Sequence, residues 1–173
     1  MRSIAAAVRI VRDARAGIVL TRAGNPLPLP GLPTHRLLTP GSGVLTAVTE
    51  RLAEGDLHAT FLSPRASDTK DADHARITML PCPAPAHRHL VAVVAVSPAG
   101  DLHGLTGREL VILGLLIDDW TDRRIATELR LPPLDVAESV ERIQVKLGAP
   151  TRIMATLRAL RLGLYVPGST GPR

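Results

Sequence analysis

Apolar positions follow two different rhythms along this chain. Up to about residue 97 they alternate or run in short blocks, and from Leu105 onward they recur every three or four residues. The first rhythm is that of strands, the second that of helices. Residues 3–13 fit a short helix. Gly17 to Thr21 is a short apolar run that ends in the turn signal Ala23-Gly24-Asn25-Pro26. Pro28, Pro30 and Pro33 are expected to keep the chain irregular to about residue 34. A helix is predicted over 42–53, with Val44, Leu45, Val48 and Leu52 on one face and Gly55 as its stop. Three strands follow at 58–63, 75–81 and 90–97. In the second, Ile77 and Met79 alternate with Arg76 and Thr78, as in a half-buried strand. The third is almost wholly apolar, as a strand covered on both faces would be. An Asp-rich stretch, 66–74, joins the first two, and the proline-rich segment 81–85 leads into the third. The expected fold of residues 1–97 is therefore α+β, an antiparallel sheet with helices on one side.

Residues 98–104 have the composition of a linker. Beyond it, Thr106-Gly107-Arg108-Glu109 has the spacing of a capping box, and a helix is predicted from there to about Asp118. Thr121 is placed to cap a second helix, 122–130, that buries Ile125, Ala126 and Leu129. Leu131-Pro132-Pro133 forms the turn before a third helix, about 134–146, with Val136, Val140, Ile143 and Leu147 at helical spacing. Gly148 ends it, and a fourth helix spans 151–162 with Gly163 as its stop. Two short helices joined by a tight turn, with a third packed across them, form a helix-turn-helix. The predicted organisation is an α+β domain at 1–97, a linker at 98–104, an all-α four-helix domain at 105–167 and a flexible tail at 168–173.

The motifs Leu-Thr-Gly-Arg-Glu-Leu at 105–110, Arg-Arg-Ile-Ala-Thr-Glu-Leu at 123–129, Lys-Leu-Gly-Ala-Pro-Thr-Arg at 146–152 and Leu-Gly-Leu-Tyr at 162–165 together resemble the LuxR/GerE-type DNA-binding domain. The resemblance implies bacterial transcription control, a recognition helix at about 134–147 in the major groove, and a homodimer formed through the last helix. It places Thr121, Arg123, Arg124, Asp135, Ala137, Glu138, Glu141, Arg142, Lys146 and Arg152 at the DNA. Ala137 and Ser139 stand where the family commonly carries Lys and His, and Asp119 where it usually has Gly. Asp135, Glu138 and Glu141 bring negative charge to a surface that should approach phosphates, yet a carboxylate can accept a hydrogen bond from cytosine N4. On the fourth helix, Ile153, Leu157 and Leu160 share one spacing and are expected in part to pack inward, with Met154 and Arg158 facing a partner across a two-fold axis.

Composition narrows the function classes. The formal charge is +5, which suits a nucleic-acid partner. Its distribution does not single out the helical domain, where nine Lys/Arg face eight Asp/Glu. One cysteine, Cys82, rules out an intrachain disulfide and fits the cytoplasm. No apolar run reaches the ~18–20 residues of a membrane helix. Cys82 with His87, Arg88 and His89 matches no compact zinc spacing, so neither metal nor cofactor is expected. No nucleophile elbow or phosphate loop appears, and an enzyme is not expected. A phosphoacceptor receiver is not expected either, because Asp56 precedes a strand instead of ending one. The order of elements in 1–97 resembles a PAS- or GAF-like sensor, with room for a small-molecule ligand; a purely structural or dimerisation role is the alternative. For the whole chain the expectation is a DNA-binding regulator. The alternative is a degenerate helix-turn-helix protein that acts by protein–protein contact, which the acidic recognition helix keeps open.

Overall fold

The computed structural model describes residues 11, 13–56, 58–64, 74–82 and 89–168. The helix expected at 3–13, the Asp-rich connection and His87-Arg88 lie largely or wholly outside these residues. Five strands form one antiparallel sheet: β1 Ala16–Thr21, β2 Pro26–Pro28, β3 Ala59–Pro64, β4 His74–Pro81 and β5 Leu90–Pro98, in the order β2-β1-β5-β4-β3. A short 3-10 turn, Arg36–Leu38, leads to helix α1, Gly43–Ala53. The Ser42 hydroxyl starts α1 by accepting the Leu45 N–H at 3.3 Å.

Strand β2 departs from the expectation that prolines exclude regular structure here. Pro26 and Pro28 pair with Leu20 and Ile18 of β1 at the sheet's rim. An edge strand tolerates proline because its outer donors have no ladder to complete. Strand β5 is central, between β1 and β4, and both of its faces are covered. Val94 and Val96 face the core shared with Ile18, Ile77 and Val48. Val93 turns the other way onto Val19 and Leu29.

Four further helices follow: α2 Gly107–Ile117, α3 Asp122–Leu129, α4 Pro133–Lys146 and α5 Arg152–Leu162. The capping box at Thr106 and Glu109 is present in full. Between α2 and α3, Asp119 adopts φ +59°, a left-handed conformation that a short polar side chain tolerates better than most. That is why aspartate can stand where the family usually has glycine.

Sheet and helices share one hydrophobic core. Residues 164–167 join them. The Leu62 N–H on the outer edge of β3 donates to the Tyr165 carbonyl at 2.8 Å, and the Val166 N–H donates to the Leu110 carbonyl at 3.0 Å. The Phe61 and Tyr165 rings lie 6.3 Å apart. The Arg51 guanidinium sits 5.8 Å from the Tyr165 ring centre and bridges Asp56 and Asp118 at 3.6 and 3.7 Å. Gly114 makes this approach feasible: a Cβ there would stand 1.8 Å from the Val166 carbonyl oxygen.

The expected consequence is a sharp contrast between two glycines of the same helix. Gly114→Ala should destabilise the protein by about 3 kcal/mol or more, because the clash is with backbone that cannot rotate away. Gly107→Ala, whose Cβ would meet only the His74 ring at 3.6 Å, should be close to neutral. Urea unfolding followed by circular dichroism measures both, and equal stabilities would disprove the packing described.

Candidate nucleic-acid interface

The turn between α3 and α4 is built by local rules. Arg130 ends α3 in the left-handed region at φ +53°, and Pro133 opens α4. Ile125 and Ala126 of α3 and Val136, Val140 and Ile143 of α4 are buried beneath the pair. The outer face of α4 then carries Leu134, Glu138, Glu141, Arg142 and Val145, all exposed.

A buried carboxylate sets the position of α4. Glu109 is only 3% exposed. It accepts the Thr106 N–H at 2.7 Å and the Lys146 ammonium at 2.7 and 2.9 Å, and Arg142 lies 3.8 Å away. One side chain thus caps α2 and ties down the C-terminal end of α4. Burial pushes the Glu109 carboxyl upward, but hydrogen bonds from Lys146 and Thr106 outweigh it and hold it below its ordinary range.

The residues expected at DNA separate into two groups. Lys146 is turned inward onto Glu109. Arg152 bonds the Asp122 carboxylate and, at 3.0 Å, the Trp120 carbonyl, so it joins the start of α5 to the start of α3. Thr121 caps α3 by accepting the Arg124 N–H at 3.4 Å. Asp135 and Ala137 are half-buried. Ser139 is buried, and its hydroxyl donates to the Asp135 carbonyl at 2.7 Å and accepts from Arg142 at 2.9 Å. Arg123, Arg124, Glu138, Glu141 and Arg142 remain on the surface. The Arg124 guanidinium sits over the Trp120 ring, 3.6 Å from its centre, a contact that restrains it and leaves its charge in place. Arg142 reaches Glu138 at 3.5 Å along the helix.

Helix α5 reverses the expected assignment of faces. Ala155 and Ala159 are the buried positions. Ile153, Leu157 and Leu160 are 71%, 53% and 43% exposed. Arg158, expected to meet a partner, instead donates to the Leu147 carbonyl at 2.7 Å and to the Gly148 carbonyl, closing the end of α4. The small alanines let α5 approach α2 and α4 closely, so the larger side chains project away. Two alanines four residues apart were the signal in the sequence that could have shown this.

Among the described residues no group of His, Cys, Asp and Glu is arranged to hold a metal, and no helix is long and apolar enough to cross a membrane. Burial pushes the Cys82 thiol above its ordinary range, which opposes a nucleophilic role.

No family model and no curated protein matches the chain. Solved structures do. The transcription factor GerE is 35% identical over 38% of this chain and 96% of GerE, with a TM-score of 0.35. The phage VqmA–DPO complex is 22% identical over 72% of this chain and 65% of that one, with a TM-score of 0.38. The Vibrio cholera VqmA–ligand–DNA complex is 13% identical over 98% of this chain and 92% of that one, with a TM-score of 0.37.

The tie through Glu109 has a pH signature. Its folded pKa is lowered, so its contribution is complete above the unfolded value of about 4.3 and is lost as pH falls through the lower folded value. Glu109→Gln should reduce stability near neutral pH by about 3 kcal/mol, because Lys146 loses its counter-charge. The gap between variant and parent should close in acid. Urea titrations across pH test this, and a gap independent of pH would refute it.

Proposed function

Because its helical part belongs to the LuxR/GerE-type helix-turn-helix regulators, we propose that this chain is a bacterial transcriptional regulator that binds double-stranded DNA sequence-specifically as a homodimer. The observation that carries the reading is α4: its inner face is locked to α2 by Glu109, and its outer face is free to enter a major groove. Arg123, Arg124 and Arg142 are the exposed cations that meet phosphates. Glu138 and Glu141 then read bases as acceptors, a mode that favours cytosine. The exposed stripe Ile153, Leu157 and Leu160 forms the contact across the two-fold axis. Residues 1–97 serve as a PAS- or GAF-like sensor or a dimerisation element, connected through 98–104 to the DNA-binding domain at 105–167. The protein works in the cytoplasm and is not an enzyme.

The test is selection of bound fragments from a random DNA pool, followed by titration at several salt concentrations. A near-palindrome with half-sites about one helical turn apart is expected. Arg123→Ala and Arg142→Ala should each flatten the salt slope by about one. Glu138→Lys should raise affinity for all sequences, since it exchanges repulsion for a phosphate-seeking charge. Leu157→Glu should leave the helical content intact and convert the selected site to a single half-site. No enriched sequence together with a flat salt slope would overturn DNA binding; the exposed Leu134, Val145 and acidic residues of α4 would then point to a protein partner.

A further inference from the structure

The outer face of the sheet, opposite α1, is closed at one end and open at the other. Over β1 and β5, Val19 and Val93 are covered by Leu29 and Leu32. Over β3 and β4 there is a cleft of about 460 Å³, in the size range of small-molecule sites. Its floor is polar. Thr60 lies directly across from Thr78, and Arg76 directly across from Ser97. Thr78 and Ser97 are largely buried as residues, but their hydroxyls open onto the cleft and make no hydrogen bond to another described residue. Hydroxyls that face a cleft and are not held by the protein are free to bond whatever enters it.

Arg76 adds charge to the cleft. Its guanidinium donates to the Ala99 carbonyl at 2.6 and 3.0 Å and to the Leu162 carbonyl at 2.7 Å. Three of its five N–H groups are thereby used and two are left. No carboxylate of the described residues lies within ion-pair distance of it. A half-buried cation beside two unmet hydroxyls is a seat for an anion. The Asp13 carboxyl, also in the lining, supplies acceptor oxygens and so favours a ligand that carries a donor as well.

We propose that this cleft binds a small organic acid bearing a hydroxyl or amino group, with its carboxylate on Arg76 and on the hydroxyls of Thr78 and Ser97. The site is separate from the DNA-facing surface and its existence does not rest on DNA binding. It adjoins the end of α5, because the same guanidinium holds the Leu162 carbonyl and Gly163 packs on Thr60.

The probes are lactate and glycine, each compared with its amide, lactamide and glycinamide, which keep the shape and remove the charge. Titrated into the ¹⁵N-labelled full chain, at least one of the two acids should shift the amide signals of residues 76–78 and 97 saturably at millimolar concentration. The matching amide should bind at least about tenfold more weakly, the effect of losing a charge-assisted contact. Arg76→Gln would also release Ala99 and Leu162, so the deciding variant is Thr78→Val combined with Ser97→Ala, which leaves those ties in place. It should weaken binding about tenfold with a nearly unchanged melting temperature. Lack of a saturable shift at these residues, equal response to acid and amide, or unchanged affinity in the double variant would each overturn the assignment.

Discussion

Residues 164–167 have no regular secondary structure, yet the rest of the molecule is organised around them. Leu164, Tyr165 and Val166 are each 1% exposed. Their side chains fill the space between sheet and helices, and their backbone groups are satisfied by Leu62 on one side and Leu110 on the other. Buried backbone groups without such partners would be costly. The same segment covers the outer edge of β3, which would otherwise offer unpaired donors and acceptors to another chain. Sheet and helices therefore cannot move apart without exposing a shared core and breaking these bonds together. The close approach exists only because position 114 has no side chain.

Electrostatics divides the molecule in a way that net charge does not show. Lys146 and Arg152, two of the nine basic residues of the helical part, hold helices together. Arg158 does the same by capping α4. The exposed face of α4 is left with Glu138, Glu141 and Arg142, which is a poor match for a surface that works by charge attraction alone. Affinity for phosphates then falls to Arg123 and Arg124 on the neighbouring helix, while α4 itself contributes acceptors. A domain of this kind depends more on the bases it reads than on the backbone it approaches.

The sheet shows a similar asymmetry. Its inner face is filled by α1 and by Phe61, Ile77 and Val94. Its outer face is sealed only over β1 and the Val93 region of β5, and the part left open is the part that carries Thr60, Arg76, Thr78 and Ser97. Arg76 stands where three regions meet, on β4, against the start of the linker and against the end of α5. The alternation along β4 marks Arg76 and Thr78 as facing away from the core, but not that a cation would be half-buried there with no counter-ion among the described residues.

The local pattern determined most of the elements. The helix periods, the caps at Ser42, Thr106, Thr121 and Thr151, and the stops at Gly148 and Gly163 each depend on residues within one turn of one another, so they can be read along the chain. The helix-turn-helix was legible for the same reason. The edge strand β2 was not, because a proline's fitness there depends on which strand has no further neighbour. The inner face of α5 was not, since burial of Ala155 and Ala159 instead of Ile153, Leu157 and Leu160 is set by how closely other helices approach. Lys146 and Arg152 could be recognised as basic, but their partners Glu109 and Asp122 lie 37 and 30 residues away. Which charges face outward, and which face of a helix is free, is decided by contacts between residues distant in sequence, and only the folded chain brings those together.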